Sequence, residues 1–297
     1  MKTCKARFHL PGLFEFHKLY SVFLPLLHEH RDWFYDWCEI GSIYGTPNDC
    51  IWSGGRVERS DTDIQDVLEL MKKYDISARL TMSNSLIREE HLYDRRCNQI
   101  CRLFSDPNNG IIVHSDVLAD YIRNEYPDYY LVSSTTKVIT DFELLKEELD
   151  REEFSYVVAD FRLNREFASL GALAQSQKDK IEFLCNECCW FYCQDRKTCY
   201  ESVSHLNMGD GFPEHKCSSP GGEKGYVFSE AMANPGFIGV EDIVKKYLPM
   251  GFTNFKIEGR GLGSALILEF ILYYMTKPEY QLKVREAIYL DNMLDLF

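Results

Sequence analysis

The sequence predicts an α/β fold closed as a TIM-type (β/α) barrel, regular or irregular, and three observations predict it. Short, almost uniformly apolar runs alternate with segments of helical period along the chain. Such runs between helices are parallel strands covered on both faces. Seven or eight of these units fall within 297 residues, which favours a closed barrel over an open sheet. Polar and charged residues recur where the apolar runs end, and that end of a barrel strand carries chemistry.

Residues 39–44 read as a strand that ends in the turn cluster Gly45-Thr-Pro-Asn-Asp49. Residues 63–74 have apolar side chains at 64, 67, 68 and 71, the helical period. Strand 76–82 and helix 89–104 follow, and Asp106-Pro-Asn-Asn-Gly110 turns the chain into strand 111–114. Next come helix 117–124, strand 130–133, helix 141–151 and strand 156–160. A weaker helix at 164–174 precedes strand 181–186. Helix 241–248, strand 254–258 and helix 264–276 close the pattern. No repeat or low-complexity linker interrupts it. Residues 1–297 therefore read as one β/α-barrel domain, with 207–225 a long loop or insertion that carries a cysteine over the C-terminal face.

An apolar fraction of 45% supports a full core for one large domain. No run approaches the roughly 18 apolar residues of a membrane span, so no membrane partner is expected. The start MKTCKARFHLPG lacks an apolar segment ending in a cleavage site, so the expected location is cytoplasmic. With 46 acidic against 33 basic residues the net charge is −13, which does not favour nucleic acid. A local basic pocket for an anionic substrate stays open. Eleven cysteines, an odd number with no export signal, argue against a disulfide framework. Cys4, Cys38 and Cys97 read as small buried hydrophobes.

The run 181–200, IEFLCNECCWFYCQDRKTCY, is different, because it places five cysteines within fifteen residues. Thiolates are soft anionic donors that bind zinc or iron–sulfur clusters, and the alternative is inert buried thiols. Cys189 and Cys193 form the best pair, and their spacing of three residues leans toward a cluster. Cys217 is a third candidate ligand, in a Gly/Pro-rich loop. The fourth is Cys199, Cys185 or Cys50, and Cys188 reads as a bystander beside Cys189. Arg196 belongs to the same run as a substrate contact.

Three further groups have two readings each. In Phe255-Lys-Ile-Glu-Gly-Arg260, the charges either pair inside the barrel or hold an anionic substrate on Lys256 and Arg260, with Glu258 orienting them. Asp160 and Arg162 are an ion pair, or an acid/base with its anchor. Asn186 and Glu187 orient substrate or cap the turn that carries the cysteines. The eight histidines form neither HExxH nor a triad. His114 at a strand end reads as a core residue, and His205 and His215 bracket the cysteine-bearing loop. The glycines at 259–263 match no nucleotide fingerprint.

The pattern Asn186-Glu187-x-Cys189-x3-Cys193-x2-Arg196 resembles the peptidase U32 (collagenase-like protease) superfamily. So do Pro235-Gly-Phe-Ile-Gly-Val-Glu-Asp242 and Gly251-Phe-Thr-Asn-Phe-Lys-Ile-Glu-Gly-Arg260, with Cys217 in the loop between the blocks. The resemblance implies a TIM-type barrel. It also implies a four-iron cluster on Cys189, Cys193 and Cys217, because several members are iron–sulfur proteins of oxygen-independent hydroxylation. Cys199 stands where relatives often have His, and the early cysteine pair of the members that hydroxylate RNA bases or quinone precursors is not evident before Cys189. The expected function is thus redox or hydroxylation chemistry on an unidentified substrate, with Glu187, Asp160, Lys256 and Glu258 as catalytic groups. An electron donor or partner subunit would accompany it. The rivals are a zinc-dependent hydrolase with Glu187 or Asp160 as base, and a binding module with a structural metal.

Overall fold

The computed structural model describes residues 5–47, 49–54, 62–213, 215–222 and 228–290. Eight parallel strands close into a barrel in sequence order. Strand β1 (Ala6–Pro11) and helix α1 (His17–Glu29) open the chain, in a region where the sequence reading names no element. Then come β2 (Cys38–Gly45), α2 (Ile64–Lys73), β3 (Ala78–Met82) and α3 (Arg95–Phe104). The middle of the barrel is β4 (Gly110–Val113), α4 (Asp116–Glu125), β5 (Tyr130–Ser133), α5 (Phe142–Asp150) and β6 (Phe154–Val158). Two short helices, α6 (Phe167–Ala172) and α7 (Gln175–Lys180), stand where one weak helix was expected, and β7 (Ile181–Leu184) follows.

Helix α8 (Arg196–Met208) begins inside the cysteine run and extends into the expected 207–225 loop, parts of which lie outside the described residues. Helices α9 (Phe228–Ala233) and α10 (Val240–Asp242) follow, the latter passing into a π turn at Ile243–Tyr247. Strand β8 (Asn254–Lys256), α11 (Ser264–Met275) and α12 (Gln281–Leu290) complete the order.

The helices start where the sequence supplies caps. Asp63, Asp94, Ser115 and Asp141 each accept a backbone N–H in the first turn of α2, α3, α4 and α5. The buried faces of these helices pack outside the strands in one large apolar cluster. A second, small cluster of Tyr44, Ile112, Val132 and Val158, with Tyr130 and Tyr156 against it, comes from four of the strands. Closure is made by β8, which pairs with β7 and with β1 (Arg7↔Asn254, Phe8↔Phe255, His9↔Lys256). The β1–β2 register shifts between Phe8 and His9, an irregularity of the kind that re-aims a side chain. Among the described residues, no helix is long and apolar enough to cross a membrane.

Candidate functional site

The exits of β7 and β8 are built as one unit. The Cys185 amide donates to the Lys256 carbonyl at 2.9 Å, extending the β7–β8 contact past the strand end. One residue on, the Asn186 side chain clasps the Glu258 peptide. Its Oδ1 accepts from the Glu258 amide at 2.7 Å and its Nδ2 donates to the Glu258 carbonyl at 3.1 Å. Gly259 then takes φ +141°, where a Cβ would lie 2.6 Å from Ile267 Cδ1. The chain turns there between Glu258 and Arg260.

Glu187 caps the loop that follows β7. Its Oε1 accepts the amides of Cys188 and Cys189, each at 3.0 Å, and its Oε2 accepts Arg196 Nη2 at 2.6 Å. Arg196 opens α8, so Arg196, Cys199 and Tyr200 stand at i, i+3 and i+4 on one helix face. Ser218 donates to Asp195 at 2.7 Å, tying the Cys217 loop to the start of that helix.

These elements wall a cavity of about 650 Å³ at the C-terminal mouth of the barrel. Cys188, Cys189, Cys193, Cys199 and Cys217 all line it, as do Glu187, Arg196, Lys256, Glu258 and Arg260. Tyr44 and the 134–136 segment line it from the exits of β2 and β5, and Trp190, Phe191 and Tyr192 form one side. Asn186, Asp160 and Arg162 stand behind the wall rather than on it, as do Cys50 and Cys185. Asn186 is spent on Glu258, and Asp160 is held in ion pairs. Of the alternatives for a fourth ligand, Cys199 alone is at the cavity.

Asp160 receives a two-point contact from Arg162, with Nε at 2.7 Å and Nη2 at 2.9 Å. Arg162 Nη1 reaches on to the Cys193 carbonyl at 2.9 Å, fixing the second cysteine of the expected pair. Arg196 lies between Glu187 and Asp160, its Nε 3.5 Å from Asp160 Oδ2, with its guanidinium over the Phe161 and Tyr200 rings. Burial opposes its charge, but Glu187, Tyr200, Cys189 and Asp160 raise its pKa above the ordinary arginine value. A permanent cation is therefore anchored beside the thiols.

The barrel interior beneath the cavity holds a second charged group that the sequence reading missed. Glu182, fully buried, accepts Arg79 Nη1 at 2.5 Å and Lys256 Nζ at 3.1 Å, with His9 Nε2 at 3.5 Å. Burial raises the Glu182 pKa, yet Arg79, His9 and Lys256 together hold it well below the usual carboxylate range. Burial brings Lys256 down to about 8, partly offset by Glu182. The Lys256 ammonium also sits 3.5 Å from the Tyr44 ring centroid. Lys256 thus pairs inside the barrel, with Glu182 rather than with Glu258. The signal was present in the sequence as lone charges, His9, Arg79 and Glu182, inside otherwise apolar strands.

The donor chemistry of the wall fits a thiophilic group, because five cysteines from three segments line one space. A single ion needs closer convergence. Among the described residues, the metal-capable set whose ligand atoms lie within 4.8 Å of one another is Glu187, Cys188 and Glu258. Cys188, read from the sequence as a bystander, is a member of that set. Among the described residues, no three of the cysteines expected as ligands meet that distance.

A closed parallel (β/α) barrel with a thiol-lined mouth is the class these observations define. Among solved structures, the chain is similar in fold to the U32 peptidase Mk0906, with a TM-score of 0.52. Identity is 14%, and the match covers 87% of this chain and 94% of the other. At that identity the likeness concerns the fold. No family model and no curated protein matches the sequence.

Proposed function

We propose that the mouth cavity binds an iron–sulfur cluster, four-iron in type, and performs redox or oxygen-independent hydroxylation chemistry on a small, anionic substrate. The observation that carries this reading is that five cysteines, from the 188–193 loop, α8 and the Cys217 loop, line one cavity. Cys189, Cys193, Cys217 and Cys199 are its proposed ligands. The U32-like sequence pattern and the shared fold support it further. When bound, such a cluster supplies electrons, or a Lewis-acidic iron where one ligand position is open.

The chain's own groups have separate tasks in this reading. Arg196, locked to Glu187, balances the charge of ionised thiols. Lys256 offers an ammonium at the cavity floor, oriented by Glu182. Glu258, clasped through its peptide by Asn186, presents a carboxylate for proton exchange with substrate, and Arg260 anchors an anionic group. Trp190, Phe191 and Tyr192 give one flank an aromatic face. The redox reading requires an electron donor, as a partner protein or a small reductant.

Anaerobic purification with iron and acid-labile sulfide analysis tests it. Iron and sulfide in equal amounts, with visible absorption lost in Cys189→Ser and Cys193→Ser, is the expected result. Protein that folds yet takes up neither iron nor sulfide on reconstitution would sink it.

A second reading rests on the Glu187, Cys188 and Glu258 set, which suits one borderline ion and hydrolysis. Glu187 is a poor general base there, because two amides and Arg196 already occupy its oxygens. Zinc-dependent peptide cleavage that survives Cys189→Ser and is lost in Cys188→Ser would favour this reading over the first.

A further inference from the structure

Cys50 and Cys97 lie outside the mouth cavity, in the loop that leaves β2 and in the first turn of α3. Both are buried, at 2% and 0% exposure, and their Sγ atoms are 2.7 Å apart. That is well inside non-bonded sulfur contact and approaches the bonded distance of about 2.05 Å. The flanking residues clasp the same two segments, because Arg96 Nε meets Asp49 Oδ2 at 2.7 Å. Cys97 is fixed by its amide, which donates to the Asp94 cap at 2.8 Å. Cys101, one turn further along α3, faces Met82 instead, with the two sulfurs 3.8 Å apart.

Residues 50–54 connect this pair to the wall of the cavity. Asn84 donates to the Ile51 carbonyl at 2.8 Å and to the Ser204 carbonyl of α8 at 3.4 Å. Asn207, also on α8, donates to the Ser53 carbonyl at 2.7 Å. Trp52 Nε1 reaches the His91 carbonyl at 2.8 Å, just before α3. The segment thus lies between α3, the exit of β3 and the helix that bears Arg196 and Cys199.

We propose that Cys50 and Cys97 are a redox-active dithiol that closes to a disulfide, pinning residues 50–54 to α3 and so bracing α8. The oxidant is a disulfide-bearing molecule. One cysteine thiolate attacks its sulfur and expels one thiol, forming a mixed disulfide. The partner thiolate then attacks that mixed disulfide and expels the second thiol. Two protein S–H bonds are lost, one protein S–S bond forms, and the oxidant leaves as two thiols. Burial and the neighbouring Cys50 raise the Cys97 pKa, so exchange waits on local opening and the closed state persists once formed. The inference is independent of what the mouth binds.

The test uses the full-length reduced protein equilibrated with oxidised glutathione, acid-quenched, denatured, alkylated and digested. Fragmentation of linked peptides distinguishes Cys50 from Cys38 and Cys97 from Cys101. The expected product is a Cys50–Cys97 link, lighter by two hydrogens, free of alkyl group and glutathione, and reversed by dithiothreitol. Hydrogen exchange of residues 51–54 and 204–207 should slow several-fold in the oxidised protein, and its Tm should rise. Cys50→Ser should abolish both changes. Should that variant fail to fold, peptide mapping of the unaltered chain still decides. Full alkylation of both cysteines, glutathione retained on Cys50, or a link that goes equally to Cys101 would overturn the proposal.

Discussion

Glu182 meets cationic or ionisable partners from three other strands, His9 on β1, Arg79 on β3 and Lys256 on β8, with no water-exposed surface of its own. Removing its charge leaves the buried Arg79 and Lys256 to ring faces and the Tyr130 hydroxyl. Glu182→Gln should therefore cost about 3–5 kcal/mol, read from urea unfolding midpoints, and a loss below about 1 kcal/mol would show that the cations find other partners. Arg196→Lys keeps a charge but cannot span Glu187, Tyr200 and Asp160 at once. It should lower the urea midpoint and reduce iron loading of the mouth, whereas unchanged loading would divorce this arginine from the thiols. That Lys256 would pair inside the barrel was legible as one reading of residues 255–260. Its partner was not, because a strand sequence does not say which other strand its inward side chain faces.

The elements follow their local signals where caps and periodicity agree. Asp141 accepts two amides, of Glu143 and Leu144, at the start of α5. Asp141→Ala should cost about 1 kcal/mol with unchanged fold, measurable as a shift in the denaturant midpoint. Gly54 is set by close approach instead, since a Cβ there would lie 2.1 Å from the Ser83 carbonyl oxygen. Gly54→Ala should destabilise by about 1–3 kcal/mol, since a backbone must move, and a neutral result would mean that residues 50–54 are loosely seated. Helix α1 escaped the sequence reading for physical reasons. It carries Pro25 in its interior and its N-cap, Phe16, offers no capping side chain. Helix α8 was hidden because its apolar periodicity is weak. Yet that helix is why Arg196, Cys199 and Tyr200 face one cavity.

At the scale of the molecule, the net charge of −13 does not extend into the mouth. Arg196, Lys256 and Arg260 on its wall stand against Glu187, Glu230 and Glu258. The rule that barrel chemistry gathers at strand exits located most of this site from sequence. It could not separate groups on the wall from those behind it, such as Asp160, because that depends on side-chain direction.

Acid should weaken the whole fold in a defined window. Burial, with Lys137 and Lys197 nearby, brings His114 down to about 4 against the opposing pull of Asp116 and Glu148, and burial with Arg79 also lowers His9. Both histidines bind protons in the unfolded chain first, so their stabilising contribution is complete above pH 6.5 and falls as the pH drops, that of His114 being lost toward about pH 4. Melting curves across that range should show a falling Tm, with a shallower slope in His114→Gln. An equal slope in that variant would remove His114 from the account.

The seam between β1 and β8 makes the order of synthesis matter. On the ribosome β1 emerges first, and its outer edge has no strand to bond until β8 arrives after every other strand. Until β8 emerges, any sheet formed by the earlier strands has two unsatisfied edges, at β1 and at the last strand made. Nascent chains in that state are targets for intermolecular strand pairing. Completion of the barrel belongs to the period after β8 is released, and a holding chaperone would serve this chain best while β8 is still in the exit tunnel.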